Sequence, residues 1–222
     1  MNEAATMNAA LAAARPALPP LAGRVDAVAI GTSAGGIEAL TVLLPALPAG
    51  MRASAFVVIH LPRDARSLLV EIFQPRCALP VREASDKEPV EPGTIYVAPP
   101  DYHLLIDAGP ALALSIDEPV HHSRPAIDVL FESAADVYRS RLLGIVLTGG
   151  NEDGAAGLAA IRRAGGLALV QDPDEAQVRT MPEAALARVA ADGVLTLARI
   201  AGLLGTLAPT IDDPQTRGDS PP

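Results

Sequence analysis

The chain has 222 residues, 50% of them hydrophobic, and its 26 acidic and 17 basic side chains give a formal net charge of −9. That length supports one sizeable core and a single α/β domain. The acidic balance, with 3 Tyr, 3 Phe and no Trp, excludes nucleic acid as a natural partner, because phosphates call for Lys and Arg and base stacking calls for aromatic rings.

The elements follow in chain order. Residues 1–24 are Ala-rich and carry only Glu3 as a charge before Arg15, so they lack the basic start of a secretion signal and are expected to form a mobile tail, in part helical. An apolar strand over Val25–Ile30 stops at "GTSAGG", and a helix follows over Gly36–Ala46. A second strand, Ser54–Ile59, ends at His60 in "FVVIHLP", and a helix is expected over Ala65–Gln74. The segment "REASDKEPVEPG" is charged, contains Pro and reads as a surface loop. Strands over Thr94–Ala98, His103–Asp107 and Ala111–Ile116 have no helix between them, and "DAGPA" has turn composition. An antiparallel hairpin attached to the sheet is expected there. A helix over Pro125–Tyr138 leads to the strand Leu142–Leu147, whose "LLGIVL" is apolar throughout. Then come "TGGNEDG", a helix over Asp153–Ala164, a strand over Leu167–Gln171, and helices over Met181–Val189 and Leu197–Leu207. The last residues, 210–222, are polar and Pro-rich and are expected to be disordered. Apolar strands alternating with helices predict an α/β domain over 25–209: a doubly wound, mainly parallel sheet with an antiparallel hairpin and helices on both faces. No apolar run reaches the roughly 18 to 20 residues of a membrane span. A lone cysteine, Cys77, forms no internal disulfide and fits a reducing, cytoplasmic setting.

In such sheets the chemistry gathers at the carboxyl ends of the strands. Three apt residues stand there on different crossovers: Ser33, His60 and Asp153. The turn bearing Ser33 admits three readings. As a phosphate cradle it lacks the lysine of a P-loop and the second glycine of a dinucleotide fingerprint. As a nucleophile turn, Gly31-Thr32-Ser33-Ala34-Gly35 fits Gly-x-Ser-x-Gly between a strand and a helix. As a plain structural element, Ser33 N-caps the helix. A serine nucleophile needs a base, which His60 can be, and the base needs an orienting carboxylate, which Asp153 can be. On structural grounds alone, His60 would be a core histidine and Asp153 the N-cap of its own helix. No spacing among His103, His121, His122 and the acids forms a metal-ligand set.

The segments "AIGTSAGGIEAL", "VVIHLP", "EPGTIYVAPPDYHLLI", "SRPAIDVLFESAA", "GIVLTGGNEDGAAGL" and "QDPDEAQVRTMPEAAL", in this order, resemble the catalytic domain of CheB-type protein-glutamate methylesterases of bacterial chemotaxis. The resemblance implies a Ser33-His60-Asp153 triad, no metal or cofactor, and hydrolysis of glutamate methyl esters on chemoreceptor cytoplasmic helices, often with deamidation of receptor glutamines. It also implies oxyanion stabilisation by backbone N–H groups near Ala34 and Gly150. Arg124 matches a family Arg-Pro pair, and contacts either the receptor or the triad loop, or simply starts a helix with Pro125. Met181 either lines the ester pocket or staples the helix that follows. Ala34 stands where the family commonly has Thr, Gly150 where it has Met and Glu152 where it has Asn, which bears on rate and substrate choice. Many relatives carry an N-terminal phosphoacceptor receiver domain; 24 residues before the first strand are too few for one, so either constitutive competence limited by access to the receptor or regulation by a separate response regulator in trans is expected. Two alternatives from other classes are a non-catalytic module binding receptors or signalling proteins, and a nucleotide-binding domain, which the glycine spacing disfavours.

Overall fold

The structure, a computed structural model, describes residues 18–61 and 67–208. The elements described are β1 (Ala27–Thr32), α1 (Gly36–Leu43), β2 (Ser54–Ile59), α2 (Leu69–Phe73), β3 (Val81–Glu83), β4 (Ile95–Val97), β5 (His103–Asp107), β6 (Ala111–Ser115), α3 (Ile127–Tyr138), β7 (Leu142–Val146), α4 (Ala155–Arg163), β8 (Leu167–Gln171), α5 (Thr180–Arg188), β9 (Gly193–Leu195) and α6 (Leu197–Leu204). The expected tails over 1–17 and 209–222, and the start of the helix expected from Ala65, lie outside the described residues.

Seven strands form one sheet in the order β3-β4-β2-β1-β7-β8-β9, and every neighbouring pair is parallel. β1, β2 and β7 are buried along their whole length, as strands covered on both faces must be. Their side chains alternate between two apolar layers. Ala27, Ala29, Phe56 and Val58 join Leu130, Phe131, Leu158, Ile161 and Leu186 of α3, α4 and α5. Val28, Ile30, Val57 and Ile59 join Leu40, Leu43, Phe73, Ile200 and Leu204 of α1, α2 and α6.

Three details differ from the sequence reading. The β5–β6 hairpin is a separate antiparallel sheet rather than an extension of the main one. It sits against α3, where the Ile106 N–H donates to Ser133 Oγ at 3.1 Å. The strands β3 and β9 were not expected; each has 3 residues, too few to display a period. The expected helices over Gly36–Ala46 and Ala65–Gln74 end in 3-10 turns, Leu44–Ala46 and Gln74–Arg76. Pro45 and Pro75 lie in those turns and have no N–H with which to continue the α ladder.

The order reverses beside β1: β2 lies on one side, and β7, β8 and β9 on the other. The crevice outside the carboxyl ends at such a reversal is where open α/β sheets hold ligands. Ser33 and His60, the first residues beyond β1 and β2, and the loop after β7 stand at that edge.

Candidate active site

Thr32 and Ile59 are paired at the ends of β1 and β2, so Ser33 and His60 are the first residues beyond them on adjacent strands. The His60 N–H donates to the Thr32 carbonyl at 3.2 Å, and the Ser33 N–H to the Thr148 carbonyl at 3.0 Å. Ser33 to Gly36 is a tight turn closed by the Gly36 N–H on the Ser33 carbonyl at 2.8 Å. Gly35, at φ 79° and ψ 5°, occupies the turn position that needs a left-handed residue, which Gly adopts without steric cost. Ser33 is half-buried, and its hydroxyl makes no hydrogen bond among the described residues. It does not cap α1, whose N-cap is Gly35 with no side-chain bond.

His60 Nε2 lies 2.8 Å from Asp153 Oδ2, with His60 12% and Asp153 0% exposed. A carboxylate only accepts, so Nε2 carries the proton and Nδ1 is the nitrogen left to act as a base. Asp153 Oδ2 also accepts the Ile127 N–H at 2.7 Å, and Oδ1 the Asp128 N–H at 2.9 Å. Asp153 therefore caps the first turn of α3, not the helix that follows it in sequence; α4 has Gly154 as N-cap, without a side-chain bond.

The loops after β1, β7 and β8 are fastened by Thr148. Its Oγ1 donates to the Ala34 carbonyl at 2.8 Å and accepts the Val178 N–H at 2.9 Å, while Thr32 Oγ1 donates to the Thr148 carbonyl at 2.9 Å. Ala34 and Gly150 are exposed, and their N–H groups meet no acceptor among the described residues. The Gly149 N–H, by contrast, is committed to the Val178 carbonyl at 3.0 Å. Donors of the first kind can meet an oxyanion; a committed one cannot.

Met181 is 1% exposed and lies beneath Gly149, where a Cβ would come within 2.5 Å of its methyl group. It supports the loop and has no open surface with which to line a pocket. Arg124 is equally occupied. Its Nε and Nη2 donate to Asp101 Oδ1 at 3.0 and 2.7 Å, and Nη1 to the carbonyls of Ile116 and Asp117 at 2.7 and 3.1 Å. It ties the segment after β6 to Asp101. Pro125 stands before α3, and Ala126 is the N-cap.

Several neighbours of the site carried no sequence signal. Asp128, buried at the start of α3, accepts the Gly157 N–H on Oδ1 at 2.6 Å. Its Oδ2 lies 3.3 Å from His121 Nε2, and His121 Nδ1 lies 3.5 Å from Glu152 Oε1. Burial pushes the Asp128 carboxyl above the usual carboxylate range; the Gly157 N–H opposes this, the Asp153 charge adds to it, and His121 opposes it. In "AIDVLF" this residue looks like any acid in a first helical turn. The sequence likewise gives no hint that Gln177 Oε1 lies over the Ser33 turn, 2.5 Å from where a Gly35 Cβ would be. His121, Asp128 and Asp153 bring their donor atoms within 4.8 Å of one another, a grouping that sequence spacing did not suggest. Each carboxylate oxygen there already has a partner, so a cation would have to displace backbone N–H groups or an imidazole. His103 fills a structural position: Nδ1 accepts the Ala126 N–H at 3.1 Å, and Nε2 faces the Glu118 carbonyl at 3.2 Å.

Comparison with known proteins identifies the family. The family model described as CheB methylesterase matches residues 28–204. A protein of Leptospira interrogans named putative protein-glutamate methylesterase/protein-glutamine glutaminase is 44% identical over 178 residues, covering 80% of this chain and 92% of that one. A protein-glutamate methylesterase/protein-glutamine glutaminase of Symbiobacterium thermophilum is 42% identical over 174 residues, 78% of this chain but 48% of the relative. The crystal structure of the Thermotoga maritima CheB methylesterase catalytic domain superimposes with a TM-score of 0.79 at 33% identity, covering 83% of this chain and 99% of that one.

Proposed function

The chain belongs to the CheB methylesterase family, and from that premise we propose that it is a serine esterase removing methyl groups from glutamate γ-methyl esters of chemoreceptors. The observation that carries this reading is the 2.8 Å His60–Asp153 bond at the strand ends, with Ser33 on the neighbouring strand. Ser33 Oγ attacks the ester carbonyl, and its proton passes to His60 Nδ1. Asp153 holds Nε2–H and stabilises the imidazolium. The N–H groups of Ala34 and Gly150 receive the developing oxyanion. Collapse expels methanol, which takes the proton from His60, and water then hydrolyses the acyl-enzyme by the same route in reverse. A receptor glutamine enters the same scheme with ammonia as the leaving group.

The relatives' names favour this reading over a non-catalytic binding module. Among the described residues, no helix is long and apolar enough to cross a membrane, in keeping with action at the cytoplasmic helices of receptors. A response regulator acting in trans is part of the same proposal. The test is methanol release from a methylated receptor, with covalent labelling of Ser33 by a fluorophosphonate. Release at the buffer rate, together with an unlabelled Ser33, overturns it.

A further inference from the structure

Beside the triad, residues 120–123 form a two-residue hairpin turn. The Val120 N–H donates to the Ser123 carbonyl at 3.1 Å, and the Ser123 N–H to the Val120 carbonyl at 2.9 Å. Its central residues, His121 and His122, have φ of 49° and 62°. Turns of this kind draw Asn and Gly, and side chains larger than these persist there only when the surroundings impose them. The surroundings do so here: His121 is held between Asp128 and Glu152 at 3.3 and 3.5 Å, and its carbonyl accepts from Asn151 Nδ2 at 3.4 Å. The outcome of this enforced turn is that Ser123 Oγ stands 3.4 Å from His60 Nδ1 and 3.4 Å from the His121 carbonyl.

We propose that Ser123 is a positioning residue of the reaction, a second hydroxyl that holds the His60 ring through Nδ1 in both of its protonation states. The proposal rests on Ser33, His60 and Asp153 acting as described above. A hydroxyl donates one hydrogen bond and accepts others. In the resting enzyme Ser123 donates to unprotonated Nδ1; in the reacting complex it yields that lone pair to the Ser33 hydroxyl and turns its own proton to the His121 carbonyl. Once Nδ1 has taken the proton of Ser33, the Nδ1–H donates to Ser123 Oγ, whose own proton stays on the His121 carbonyl. No bond to Ser123 is made or broken; the proton on Nδ1 is the one that leaves with methanol. The mostly buried ring thus keeps a partner on both nitrogens throughout the cycle, since Asp153 holds the other. Long hydrogen bonds in an unliganded site are expected to tighten in the reacting complex.

The experiment uses the full chain. Wild type and the Ser123→Ala, Ser123→Cys and Ser123→Thr variants are assayed for methanol release, and the His60 nitrogen resonances are read in heavy-nitrogen-labelled protein. Ser123→Ala is expected to lower kcat about tenfold with KM changed by less than about twofold, because positioning acts on chemistry rather than on binding. Ser123→Cys, close in volume but a weak hydrogen-bonding group, should behave like alanine, and carries the comparison if the alanine variant misfolds. Ser123→Thr should return kcat to within about threefold of wild type. In wild type, neutral His60 should carry its proton on Nε2, and loss of the hydroxyl should move the Nδ1 resonance. A kcat within about twofold of wild type in the alanine and cysteine variants, a threonine variant no better than they are, or neutral His60 protonated on Nδ1 overturns the proposal. Fluorophosphonate labelling of Ser33 in wild type reports on the esterase reading alone, whereas the nitrogen spectra report on Ser123 whether or not the ester is cleaved.

Discussion

Ser33 and Asp153 should respond differently to substitution, because one hydroxyl makes no hydrogen bond among the described residues and the other side chain is fully buried with three donors on it. Ser33→Ala removes no cap and no packing, so its urea midpoint should match wild type within about 0.5 kcal/mol. Methanol release should fall by a factor on the order of a thousand or more, since the proposed nucleophile is gone. Asp153→Asn keeps one acceptor oxygen and turns an amide N–H toward groups that are themselves donors. The expected stability loss is about 2 kcal/mol by urea denaturation, besides a large loss of activity from the mis-set His60 tautomer. An Asp153→Asn protein as stable as wild type would show that the cap on α3 contributes little.

The helices α3 and α4 cap each other. Asp153, just before α4, accepts the first-turn N–H groups of α3, and Asp128, in the first turn of α3, accepts the Gly157 N–H of α4. Acidic side chains at both amino ends also meet the positive ends of both helix dipoles. Gly157 permits the approach: a Cβ there would lie 2.5 Å from Phe131 Cβ and 3.1 Å from Asp128 Cα. Gly157→Ala gains about 1 kcal/mol of helix propensity but overpacks the contact, and a net loss of about 1–2 kcal/mol is expected in thermal or urea unfolding. A pH effect follows from Asp128. Its folded pKa is raised above 3.8, mainly by burial, so the folded state holds that proton more tightly than the unfolded chain does. Stability is then lost as the pH rises from the unfolded value through the elevated one. Asp128→Asn keeps an acceptor for Gly157 and removes the ionisation, so its urea midpoint should gain on that of wild type between acid just above 3.8 and neutrality. A constant difference across that interval would contradict this.

At the scale of the molecule, the two ends of the described chain meet away from the site. The Leu21 N–H donates to Thr206 Oγ1 at 3.0 Å, and the Ala22 N–H to the Thr206 carbonyl at 3.1 Å. This junction lies at the amino-terminal edge of the sheet, where Asp26 precedes β1 and pairs with Arg141; Ser33 and His60 lie past the opposite edge. Removing residues 1–17 should therefore change kcat/KM by less than about fivefold. Removing residues 1–22 should act on stability instead, because it strips Leu21, 0% exposed in the layer that holds Leu204 and Leu207. A loss of about 2–4 kcal/mol is expected, with Leu21→Ala reproducing most of it. Strong activation by the shorter deletion would assign the tail an inhibitory role and overturn the first expectation.

The apolar runs "AVAIGT", "SAFVVI" and "LLGIV" determined by themselves that a buried parallel sheet forms, because burial on both faces leaves a continuous apolar signature. They also placed Ser33, His60 and the loop with Asp153 at one edge, since every parallel strand delivers its next residue there. Only the tertiary structure decided that Asp153 caps α3 rather than α4, that Arg124 is tied to Asp101, and that Met181 supports Gly149 from below. Ser123, Asp128 and Thr148 joined the site in the same way. The segments brought together are separated by 23 to 116 residues along the chain, as in the bonds from Arg124 to Asp101 and from Thr32 to Thr148. Local periodicity records whether a side chain is buried, but not which distant N–H or ring it meets. That choice is made when the two helical layers close on the sheet and each buried polar group must find a partner.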